Sequence, residues 1–106
     1  MEQLEIQMIN EVSPDHLEEW LLTNPGKIYQ RTVETALNLV KNKDLHDEAF
    51  MEFTWENETY SKIYMNRSDI PKAMDKAIEY FVNIELYEYA QMAKNAKDWF
   101  LKGEKP

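Results

Sequence analysis

The residues of this chain that could do chemistry are two histidines and a surplus of carboxylates. His16 lies beside Asp15 and three residues before Glu19. On a helix that spacing shares one face, where a metal ion could be held. His46 sits in Asp44-Leu45-His46-Asp47-Glu48. Neither histidine falls in His-Glu-x-x-His or Glu-x-x-His, the spacings that set zinc or di-iron ligands on adjacent turns. Acidic helices produce such pairs by composition alone, so no metal and no cofactor are expected. Acid–base catalysis needs two carboxylates in unlike environments, one of them desolvated. Here the 20 Asp and Glu fall mostly where the hydrophobic pattern faces solvent. Ser13, Ser61 and Ser68 read as cap, strand and cap, with no base beside them in sequence. The absence of Cys excludes a thiolate metal site, a disulfide framework and a cysteine nucleophile. Two glycines, Gly26 and Gly103, exclude a Gly-rich phosphate loop. An enzyme is not expected.

Docking chemistry remains. The net charge is −8 and the pI near 4.7, which argues against direct nucleic-acid binding, since phosphate contacts need clustered Lys and Arg. Residues 1–50 hold ten acids against four bases, and residues 51–106 ten against eight. The stretch containing Asp44, Asp47, Glu48, Glu52, Glu56 and Glu58 has no basic residue within it. Such a stretch reads either as a solvated face that keeps a small protein soluble or as a surface that docks on a basic partner. Aromatics are the other surplus: Tyr80, Phe81, Tyr87, Tyr89, Trp99 and Phe100 crowd the C-terminal third. One apolar stripe buries about half of them; Tyr80, Tyr87 and Trp99 are the candidates to stay partly exposed as partner anchors.

The elements that must position these residues follow from periodicity. A chain of 106 residues suits a single domain, 1–106. Leu4, Ile6 and Met8 alternate, predicting a half-buried strand over 3–9. Ser13-Pro14 opens a short helix with Leu17, Trp20 and Leu21 inward, and Asn24-Pro25-Gly26 ends it. Ile28, Thr32, Val33, Ala36, Leu37 and Val40 predict a helix over 27–42. Residues 48–66 would stack Glu48, Glu52 and Glu56 as a helix, where like charges repel, and are rich in strand formers, so a hairpin of 48–55 and 60–66 is predicted. A loop over 57–59 would pair Phe53 with Ile63 and Met51 with Met65, leaving Tyr60, Lys62 and Tyr64 outside beside the glutamates. From 69 to 101 two amphipathic patterns, broken near Asn83, predict an antiparallel helical hairpin packed through Ala73, Ala77, Ala90, Ala93 and Ala96.

Residues 72–101 resemble the helical hairpin of the UVR motif. Its aromatic-Glu step is occupied by Tyr87-Glu88, its Ala by Ala90 and its basic step by Lys94-Asn95. Leu86 stands where the motif has an acid, Gln91 where it has a second Ala, and Lys97 where it has an apolar residue. The resemblance implies a hairpin used for protein–protein contacts.

The expected fold is α+β: a small antiparallel sheet, two intervening helices and a C-terminal helical hairpin. The expected function is a non-enzymatic acidic interaction module, an adaptor or inhibitor with a basic protein partner, in its sharpest form a phage-encoded imitator of nucleic acid. A self-associating assembly component is the alternative. The opening residues MEQLEIQMIN lack a basic region and an apolar run, and no segment has the length of a membrane span, so a cytoplasmic setting is expected.

Overall fold

The computed structural model describes residues 9–103. Its elements are β1 (Ile9–Glu11), α1 (Leu17–Thr23), α2 (Pro25–Lys41), β2 (Asp47–Trp55), β3 (Glu58–Asn66), α3 (Ile70–Asn83) and α4 (Tyr87–Lys102). Single 3-10 turns, Pro14–His16 and Arg67–Asp69, lead into α1 and α3. The architecture is α+β, with a three-stranded sheet in the order β1-β2-β3.

The predicted strand 3–9 lies outside the described residues except for Ile9. The described strand runs parallel, not antiparallel, to β2, pairing Ile9 with Glu52 and Glu11 with Thr54. Two helices separate β1 from β2, and parallel pairing needs a crossover of about that length. Between those helices Asn24 serves both ends. Its Nδ2 donates to the Trp20 carbonyl at 2.8 Å, closing α1, and Pro25 begins α2 where a missing N–H loses nothing.

The β2–β3 hairpin forms, in a different register from the prediction. Its turn has two residues, Glu56 and Asn57, both in the left-handed region at φ 52° and 65°. That is the backbone of a tight twisted hairpin turn, formed here without glycine. Met51 therefore pairs with Ile63 and Phe53 with Ser61, and the ladder slips by one residue at Phe50 and again at Tyr60. A bulge re-aims the side chains around it. Phe50 packs inward against both cores. Tyr60, expected outside, packs against the smaller core and donates to the Val12 carbonyl at 2.6 Å.

The main core lies among α2, α3 and α4. Val33, Ala36, Leu39, Ile70, Met74, Ala77, Ala93 and Ala96 are fully enclosed, with Phe81 and Met65 nearly so. Alanines at the α3–α4 contact let the two backbones approach closely, as their spacing predicted. Lys97 bridges the hairpin with its Nζ 2.6 Å from Asp75 Oδ1. A second core under the sheet holds Val12, Met51 and Phe53, against Leu17, Trp20 and Leu21. Arg67 joins the layers: its Nη1 donates to the carbonyls of Leu39 (2.5 Å), Leu45 (2.8 Å) and Asn42 (3.3 Å), a cation at the C-terminus of α2.

The α3–α4 connection falls where the pattern breaks: Asn83 is the last helical residue of α3, and the left-handed residue is Glu85, at φ 62°. The N–H of Leu86 reaches the Phe81 carbonyl at 2.8 Å and that of Glu85 the Val82 carbonyl at 3.0 Å. This pair of bonds is a Schellman cap, whose left-handed position usually holds Gly.

Candidate functional site

The acidic stretch does not converge on one face. Asp44 and Asp47 are exposed at the start of β2, and Glu56 and Glu58 at its far end. A strand of nine residues spans about 30 Å at roughly 3.3 Å per residue, about three Debye lengths, so the two ends act as separate charges. Glu52 stands opposite Lys62, with Nζ 3.7 Å from its carboxylate. Glu48 is turned inward by the bulge. It accepts a hydrogen bond from Asn38 Nδ2 on α2, and its Oε2 is buried without a partner. The expectation that Glu48 belongs to a solvated or docking face is corrected: its side chain belongs to the α2–β2 interface.

That interface is polar. Arg31 Nε donates to the Phe50 carbonyl at 3.0 Å, capturing the backbone at the bulge. Glu34 sits one turn along, with Oε1 3.8 Å from Arg31 Nη1 and Oε2 buried without a partner. Burial raises the Glu34 carboxyl above its ordinary value, and the Arg31 charge partly opposes this. The arrangement can hold the helix on the strand. His16 and His46 are exposed, and among the described residues no three His, Asp or Glu side chains come together to hold a metal ion.

The three candidate anchors have different settings. Tyr80 is half-buried and stacks on Tyr29, with centroids 4.6 Å apart, its hydroxyl beside Gly26. Trp99 is half-buried against the main core. Tyr87 is open to solvent and has company. Val82, Ile84, Leu86 and Tyr87 are 44%, 44%, 46% and 60% exposed around the α3–α4 turn. Sequence reasoning missed the first three. The signal was there: apolar residues at 82, 84 and 86 alternate across a helix break, where no single helical stripe can bury them all. Glu85 and Glu88 are exposed in the same turn.

No helix among the described residues is long and apolar enough to cross a membrane. No protein-family model, curated protein or solved structure matches the chain.

Proposed function

We propose that this chain is a non-enzymatic protein–protein interaction module, an adaptor or inhibitor, that docks through the turn of its α3–α4 hairpin. The observation that carries this reading is the exposure of Val82, Ile84, Leu86 and Tyr87 around one short turn. Contiguous apolar surface with a polar rim is the usual mark of a contact site, and tyrosine is enriched among residues that carry interface energy. Glu85 and Glu88 at the rim favour a partner with Lys or Arg in the matching positions, and the net charge of −8 would speed encounter with a basic surface. The resemblance to the UVR hairpin supports the same use. A cytoplasmic setting belongs to this proposal. So does its sharper form, a phage-encoded inhibitor imitating nucleic acid, which would rest on the carboxylates at the two ends of β2. The alternative is a second copy covering the same turn, in a self-associating component.

The test places a photo-crosslinking side chain at Tyr87 and, as a control, at the exposed Lys72 of α3. One basic protein captured from position 87, and lost on Leu86→Ser, supports the adaptor or inhibitor reading. Crosslinks between copies, with a dimer in light scattering, select self-association. Equal yields at both positions remove the turn as a docking surface.

A further inference from the structure

A second surface has a chemistry of its own. Between α1 and the ends of β1 and β2 lies an open cleft of about 330 Å³, lined by Trp20, Trp55, His16, Glu11 and Glu19, among others. Trp20 is held by a T-shaped contact with the buried Phe53, centroids 5.3 Å apart at 79°. Trp55 ends β2 just before the turn and is 41% exposed, a large indole that the core does not claim. Glu11 and Glu19 are exposed, and neither has a Lys or Arg partner among the described residues. The chain has no Lys or Arg before Lys27, and none lines the cleft, where His16 is the one titratable base.

Two indoles with two unpaired carboxylates define a narrow class of ligand. The π faces attract positive charge, most strongly when the cation is large and weakly hydrated. The carboxylates exclude anions and add Coulomb attraction. A neutral apolar ligand would use the rings and gain nothing from the acids. We propose that this cleft binds an organic cation, an alkylammonium or guanidinium group. The group could come from a free small molecule or from a basic side chain of a protein, and the two sources are separated by the test. The site is independent of the hairpin turn, so either proposal can fail alone.

The experiment follows the three indole N–H signals in nitrogen-labelled protein, with Trp99 as the internal control. The titrants are choline, its neutral carbon isostere, and a capped arginine peptide. The expected result is saturable movement of the Trp20 and Trp55 signals with a cation, while Trp99 stays still. The isostere should bind at least about tenfold more weakly. Glu11→Gln with Glu19→Gln should weaken choline by about fivefold or more, and Trp55→Leu should abolish the response in a folded protein. Tighter binding of choline than of the peptide assigns a free cation, and the reverse assigns a side chain. No saturable movement, equal binding of the isostere, or an unchanged affinity in the double Gln variant overturns the proposal.

Discussion

Replacing Glu85 with glycine should stabilise this protein, although it removes side-chain atoms and adds none. Glu85 holds φ 62° at the left-handed position of the Schellman cap, fixed by the Leu86–Phe81 and Glu85–Val82 backbone bonds. A residue with a Cβ pays roughly 1–2 kcal/mol for that conformation. Glycine removes this cost but gives back about 0.4–1 kcal/mol through a freer unfolded chain. The net gain is about 0.5–1 kcal/mol, a rise of roughly 3–6 °C in Tm for a domain of this size. Equilibrium urea unfolding followed by circular dichroism would measure it. Asn83→Gly is the partner experiment. Asn83 is helical, so glycine there should lose roughly 0.3 kcal/mol or more. If Asn83→Gly stabilises and Glu85→Gly does not, the helix ends two residues earlier and the exposed turn is wrongly placed.

Three further outcomes follow from the same structure. Arg67→Ala removes a cation bonded to three carbonyls; two of these lie in an exposed loop that water can serve, so a loss of about 2–3 kcal/mol is expected in urea unfolding. Glu56→Asn with Asn57→Gly suits the left-handed turn of the hairpin and should add about 0.5–1 kcal/mol, read as a higher urea midpoint. Burial raises the Glu34 carboxyl above its ordinary 4.5, so the folded state holds that proton more tightly than the unfolded state does. The contribution is therefore most favourable below 4.5 and is lost as pH rises through the folded value. Glu34→Gln should raise stability at neutral pH, with the gain fading below 4.5 in pH-dependent unfolding.

Much of the fold was legible because it is locally encoded. The apolar stripes of 27–42 and 69–82 repeat at the helical period, and α2 and α3 follow them. The like-charge stacking of Glu48, Glu52 and Glu56 correctly argued for strands. The candidate site was legible only in part. Tyr87 is exposed as expected, whereas Glu48 turned inward, and Val82, Ile84 and Leu86 went unnoticed.

What the sequence determined by itself is what depends on neighbours a few residues away: helix periods, the place of the chain break near Asn83, the alanine contact faces, and a charge of −8. Tertiary structure decided the rest. The parallel pairing of β1 depends on how two helices carry the chain back across the sheet. The bulges at Phe50 and Tyr60 choose which face each side chain takes, because one extra residue reverses a period of two. The cleft between Trp20 and Trp55 joins residues from separate elements, and no local pattern records that meeting. Local propensity chooses the elements; packing chooses which side chains meet, since burial rewards contacts that sequence spacing does not encode.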